Sequence, residues 1–220
     1  MTTVWILVAL AAVTAVADWI AVALPDRRLE YVAKPTVLAA LVAAAATIPA
    51  DHIDLVDRRW WFVAALVCCL AGDVLLMLPR DLFIPGLAAF LVGHVLFIVG
   101  FLHPPTDTRF SFSPTGLVVA AVVVVGVEAL PGTVLFRSLA VHHQTGLMVP
   151  VAAYVVAIVT MVVLAVNVAD PIAAVGAGLF LVSDTLLALD RFVRPLPRGS
   201  LAVHVTYHLA QGLLVLSLWH

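Results

Sequence analysis

Eight times along its length this chain runs for about 20 residues with hardly a charge, and each run ends on proline, glycine or a short cluster of charged residues. No other feature limits the fold so sharply. A hydrocarbon core about 30 Å thick is crossed by roughly 20 apolar residues in helix, and a backbone in lipid must satisfy its own hydrogen bonds. The runs fall at about 3–24, 33–49, 60–78, 84–102, 114–130, 148–166, 171–189 and 201–219. Between them lie Pro25-Asp26-Arg27-Arg28, Pro49-Ala50-Asp51, Pro79-Arg80-Asp81, Pro104-Pro105, Pro131-Gly132, Asp170-Pro171 and Pro195-Leu196-Pro197, all turn chemistry. The expected fold is all-α: a polytopic membrane helical bundle of about eight transmembrane helices, forming a single integral membrane domain over 1–220.

Composition agrees. Hydrophobic residues make up 64% of the 220 and charged residues 11%, too little polar surface for a water-soluble domain of this size. No basic patch points to nucleic acid, so the lipid bilayer is the expected partner. Cys68 and Cys69 are adjacent inside an apolar run, without the spacing of a zinc or redox pair, and read as small core residues. The first run has neither a basic leader nor a small-residue cleavage site, so it reads as a retained span. Trp5, Trp19, Trp60, Trp61 and Trp219 lie near span ends, where interfacial aromatics belong. Eight of the eleven Lys and Arg residues flank the odd-numbered loops. That bias places both termini outside, and the chain's Arg-rich composition points to a cell membrane of bacterial kind, the inner membrane.

The residues that ought not to be there carry the chemistry. Asp73 and Asp184 each lie about five residues before a span end, which at 1.5 Å per residue is about 8 Å below the interface. Asp is too short to reach water from there, and a charged Asp at mid-membrane costs roughly 2.5–3.5 kcal/mol. Each must therefore face protein or a water-filled cavity. Asp18, Lys34, His94, Tyr154, Tyr207, His208 and Gln211 approach the same leaflet, because odd spans end and even spans begin there. The bland reading makes these groups helix–helix hydrogen bonds worth about 0.6 kcal/mol each. Lys34 also fits a boundary anchor, and Asp18 an interfacial residue. His204 and His208, spaced i, i+4, share a helix face in the manner of metal ligands, but no third ligand accompanies them at fixed spacing. No metal or other cofactor is expected.

A short echo links the two aspartates. Gly72-Asp73-Val74-Leu75-Leu76-Met77-Leu78 and Ser183-Asp184-Thr185-Leu186-Leu187-Ala188-Leu189 end spans three and seven. A parallel four-plus-four repeat produces such a pattern.

These residues resemble the YhhN-like lysoplasmalogenase family, whose animal members are eight-span membrane proteins. The likeness rests on Lys34-Pro35, Gly72-Asp73-x-Leu75-Leu76, Phe90-x-x-Gly93-His94 and Tyr154. It continues through Gly176-Ala177-x-x-Phe180-x-x-Ser183-Asp184-x-x-Leu187-Ala188 to Thr206-Tyr207-x-x-Ala210-Gln211. Phe97 and His208 depart from the pattern, standing where family members often carry Tyr and a second aromatic. The resemblance implies hydrolysis of the vinyl ether bond of a lysoplasmalogen, giving a fatty aldehyde and a glycerophospho-ethanolamine or glycerophosphocholine. Such a bond opens when an acid protonates the β-carbon and water captures the oxocarbenium ion, a task akin to glycoside hydrolysis by paired carboxyls. Asp73 and Asp184 are then the expected catalytic pair, either serving as the acid, since two carboxyls in low dielectric resist ionising together. His94, Tyr154, Ser183, Tyr207, His208 and Gln211 would orient them, the water or the lysophospholipid, and Lys34 would meet the phosphate. Two other readings compete: a proton-coupled small-molecule or lipid transporter, and a zinc hydrolase built on His204, His208 and an aspartate.

Overall fold

The structure is a computed structural model that describes residues 2–48, 53–103, 114–168 and 170–219. The expected turns at Pro49-Ala50-Asp51 and Pro104-Pro105, and the loop residue Arg109, lie outside the described residues. Among those described there are eight long α-helices and no strand: α1 (Thr2–Ala23), α2 (Arg27–Thr47), α3 (Ile53–Met77), α4 (Phe83–Phe101), α5 (Pro114–Val141), α6 (Met148–Asn167), α7 (Pro171–Phe192) and α8 (Gly199–Leu216). Short 3₁₀ turns precede α6 and follow α8. All but α5 are long and apolar enough, over their described residues, to cross a membrane. The protein is a multi-pass membrane helical bundle.

Lipid as the outer solvent explains the packing. The lipid-facing side of α1 carries Trp5, Ile6, Leu10, Val13, Val16 and Ile20, all exposed, whereas its buried stripe is Val4, Ala11, Ala15, Asp18 and Ala21. Small residues let helices approach closely where no hydrophobic drive separates inside from outside. The facing stripe of α2 is built alike, with Ala33, Ala40, Ala44 and Ala45 among its buried residues. Glycines do the same work between α3 and α4. A Cβ on Gly93 would lie 2.9 Å from Cys69 Sγ and 3.3 Å from the Ala65 carbonyl, and one on Gly100 would lie 2.7 Å from the Phe62 ring.

Neighbouring helices pack as pairs: α1 on α2, α3 on α4, and α7 on α8. Further contacts join α2 to α3, α6 to α7, α4 to α6 and α8 to α2. The α2–α3 and α6–α7 contacts correspond under a four-plus-four arrangement, as do α4–α6 and α8–α2.

Three boundaries differ by six residues or more from those read in the sequence. The second helix starts at Arg27, six residues before position 33, because Asp26 caps it by accepting hydrogen bonds from the Arg28 and Leu29 N–H groups. Lys34 therefore lies two turns inside α2 instead of at its opening. The fifth helix runs through Pro131-Gly132 to Val141. Proline removes one N–H, a loss a membrane helix tolerates, and Leu135 and Leu139 beyond it bury against Val151 of α6. The third helix includes Arg58, expected in a loop but 1% exposed and placed 5.2 Å from the Phe62 ring centroid and 5.4 Å from that of Phe101.

Gly93→Ala should loosen the α3–α4 contact and lower stability by about 1–3 kcal/mol, seen as a lower melting temperature in detergent. Gly178→Ala, whose Cβ meets nothing within 4 Å, should leave the melting temperature unchanged or raise it slightly.

Candidate active site

Helix direction gathers the polar residues at one end of the bundle. The C-terminal halves of α1, α3 and α7 bring Asp18, Asp73 and Asp184, while the N-terminal halves of α2, α6 and α8 bring Lys34, Tyr154, His204 and Tyr207. His94 arrives from the middle of α4 and is wholly buried.

Each of the two expected aspartates is held by residues of two other helices. Asp73, 1% exposed, has Lys34 Nζ 3.2 Å from its Oδ1 and accepts a hydrogen bond at Oδ2 from the Tyr207 hydroxyl at 2.8 Å. Its pocket thus joins α3 to α2 and α8. Asp184 accepts a hydrogen bond from the Tyr154 hydroxyl at 2.5 Å, and His94 Nε2 lies 3.6 Å from the same Oδ2. That pocket joins α7 to α6 and α4. The His94 ring is aimed by its other nitrogen, Nδ1, which donates to the Phe90 carbonyl at 2.7 Å. Rings of Tyr154 and Phe180 pack on its faces and edge, with centroids at 5.1 and 4.6 Å.

Asp73 and Asp184 line one chamber of about 360 Å³, together with Lys34, Ser183, His204 and Tyr207. Its outer rim carries Arg27 and Glu30 from the first turn of α2, and Asp190 and Ser200 from the ends of α7 and α8. Asp184 and Tyr154 also border a second space, an apolar cleft among α4, α5, α6 and α7 walled by residues such as Leu87, Leu135, Ile158 and Phe192. Asp184 therefore stands on the wall between a polar chamber and a greasy one.

The remaining expected site residues are placed differently. Ser183 lines the chamber but donates its hydroxyl to the Val203 carbonyl at 3.1 Å, tying α7 to α8. Gln211 is fully buried one turn beyond Tyr207, with neither amide atom hydrogen-bonded. His208 turns away from the chamber toward α1, where its Nδ1 accepts a hydrogen bond from Trp19 Nε1 at 3.2 Å. The structure also adds a pair that the sequence reading left out of the site: Asp18, 0% exposed, whose Oδ2 lies 2.7 Å from His204 Nδ1. A carboxylate ending one span at the depth where a histidine opens an antiparallel span is the signal that could have found it. Among the described residues, no three His, Cys, Asp or Glu side chains group as metal ligands.

The fold and site define a helical membrane protein that holds two carboxyls in one chamber toward one end of the bundle. A model of the YhhN family matches residues 29–218, and the chain belongs to that family. It is 36% identical over 157 residues to human lysoplasmalogenase TMEM86B, an alignment covering 70% of this chain and 61% of that protein. It is 35% identical over 185 residues to a lysoplasmalogenase of Mycobacterium tuberculosis, covering 82% and 66%. The chain thus spans less than two thirds of the length of the curated relatives it matches. No solved structure matches it.

Removing the cation beside Asp73 should be costly. Lys34→Met leaves a buried carboxylate without its partner, a change worth about 3–5 kcal/mol, measurable as a fall in the unfolding midpoint in mixed micelles. The double variant Lys34→Met/Asp73→Asn should recover part of that loss, the signature of a coupled pair.

Proposed function

We propose that this protein is a lysoplasmalogenase: it hydrolyses the vinyl ether of a membrane lysophospholipid to a fatty aldehyde and a glycerophospho-ethanolamine or glycerophosphocholine. It would act in the cell membrane as one integral domain. The observation that carries this reading is the position of Asp184, on the polar chamber it shares with Asp73 and also on the apolar cleft. An amphipathic lysolipid needs that division. Its hydrocarbon chain would lie along the cleft, its headgroup in the chamber, and the ether between them beside the carboxyl. Relatives named lysoplasmalogenase support the same reaction.

The partners of the two carboxyls divide their roles. Asp73 faces an ammonium and a phenol hydroxyl, two donors that offset part of the cost of burying its charge. It would steady the developing oxocarbenium ion and orient water. Asp184, held by Tyr154 and backed by His94, would be the acid that protonates the β-carbon of the vinyl ether. Three N–H donors on Lys34 allow it to hold Asp73 and still reach a phosphate oxygen. Arg27 at the rim offers the planar donor fork that phosphate favours. Water capture and collapse of the hemiacetal then release the aldehyde. The clustering of these groups toward one leaflet suits a lipid substrate entering from that side. A carrier would need polar groups distributed across the midplane.

Purified protein in detergent should release aldehyde from alkenyl lysophospholipid and none from the alkyl-ether analogue, which cannot form the cation by protonation. Asp184→Asn and Asp73→Asn should each lower kcat by about 100-fold or more, the usual weight of a positioned acid or base, while gel filtration shows the folded species. A folded variant of either kind with near-wild-type aldehyde release would remove the two-carboxyl mechanism. A wild type that moves lipid yet yields no aldehyde would point to transport.

A further inference from the structure

One buried carboxylate has no part in the steps above. Asp18 lies in the last two turns of α1, 0% exposed, with Oδ2 at 2.7 Å from His204 Nδ1 and Oδ1 enclosed without a hydrogen-bond partner. Anchoring α1 does not require it, since the alanine stripe already packs that helix on α2. Burying a carboxylate at this depth is expensive for a mere tether. Its closest contact is with a histidine that lines the chamber. His204 stands one helical turn before Tyr207, the residue that bonds Asp73, and on the same face of α8.

A carboxylate on Nδ1 fixes both the ring and its tautomer: Nδ1 carries the proton, and Nε2 keeps a lone pair. The neighbouring histidine lies near the same carboxylate but makes no hydrogen bond to it. His208 Nδ1 accepts from Trp19 Nε1 and stays 3.8 Å from Asp18 Oδ2. The Trp19–His208 contact thus leaves Asp18 to His204. Asp18 also lies outside residues 29–218, the part matched by the family model, so α1 contributes a group from beyond that segment.

We infer that Asp18 and His204 form a base dyad, in which Asp18 positions the imidazole and His204 Nε2 takes a proton from the water that adds to the oxocarbenium carbon. This rests on the vinyl-ether reading above. Asp184 gives its proton to the β-carbon, and the C=C electron pair becomes the new C–H bond. Water oxygen then bonds to the cationic carbon while one of its protons passes to His204. The hemiacetal O–H returns a proton to Asp184 as the carbonyl forms. The imidazolium protonates the departing glycerol oxygen, whose C–O bond breaks. One water is consumed, and both side chains regain their starting states.

The test compares wild type, His204→Ala and Asp18→Asn on alkenyl lysophospholipid in micelles, reading aldehyde and melting temperature. His204→Ala should lose about 100-fold in kcat, the scale of base catalysis, with KM nearly unchanged. Added imidazole should restore at least about tenfold, and substituted imidazoles should rescue in the order of their basicity. Asn at position 18 presents an N–H to Nδ1 and drives the proton onto Nε2, so Asp18→Asn should also lose kcat without loss of KM. Wild-type turnover in His204→Ala overturns the inference, as does a lost kcat that imidazole cannot raise in a variant melting like the wild type. Should His204→Ala not fold, near-wild-type kcat in Asp18→Asn overturns it instead. If the wild type makes no aldehyde, the vinyl-ether reading and the dyad fall together. An active wild type with an indifferent dyad removes the dyad alone.

Discussion

An ionised side chain in hydrocarbon must find its partner within the protein, and the partners described for Asp18, Asp73 and Asp184 lie on other helices. The Lys34–Asp73 ion pair at 3.2 Å, closed by the Tyr207 hydroxyl, binds α2, α3 and α8 around one point. Tyr154 and His94 bring α6 and α4 to Asp184 on α7. In water such pairs would be worth little. Here the alternative is an unpaired charge against lipid, so the same contacts fix which helices neighbour each other and at what depth. Packing of small residues lets the helices approach, but alanine against alanine is tolerant of rotation and register. A carboxylate that must meet an ammonium is not. Fold and site therefore depend on the same few interactions, and the geometry that keeps the charges satisfied is the geometry that opens a polar chamber beneath the leaflet.

How much of this can be read without coordinates follows from what each signal measures. The apolar runs report the solvent, so the helices themselves are legible, along with the shared leaflet of Asp73, Asp184, Lys34 and Tyr207, which depends only on counting residues from span ends. Partner choice is not legible, because it depends on rotation about each helix axis. His208 carries the same depth as Tyr207 yet turns to Trp19, while His204, one turn earlier, takes the chamber wall. The i, i+4 histidine pair suggested a shared ligand, whereas its two rings flank one carboxylate, Asp18, and have different hydrogen-bond partners. Punctuation misled at Pro131, where the helix continues because the apolar residues beyond it have a surface to cover. Charge misled at Arg58, which the sequence assigns to a loop and the bundle stacks against two phenylalanines.

The echo between Gly72-Asp73 and Ser183-Asp184 gains content from the partners. Counting from the start of each half, Asp73 is on a third helix and meets a residue of its own second helix, Lys34, and one of the other half's fourth helix, Tyr207. Asp184 is on the other third helix and meets Tyr154 from its own second helix and His94 from the opposite fourth. Each carboxyl is thus completed across the boundary between halves, a pattern that a tandem duplication with exchanged fourth helices would leave.

A symmetric pair of carboxyls would be poor at acid–base chemistry, because the same environment gives both the same protonation state. The useful departure from symmetry lies in the second helices. One supplies an ammonium, Lys34, and the other a phenol hydroxyl, Tyr154, so the two second helices offer groups of different charge at equivalent places. A cation beside one carboxyl favours its anion, while a neutral donor imposes no such preference of full charge on the other. On the proposed reading, this single difference separates the group that steadies a cation from the group that creates it. The second asymmetry is spatial. Of the two carboxyls, only Asp184 borders the apolar cleft as well as the chamber, so the carboxyl bonded by the phenol hydroxyl is also the one a hydrocarbon chain can approach. Charge and access then select the same residue as the acid, and neither depends on the other.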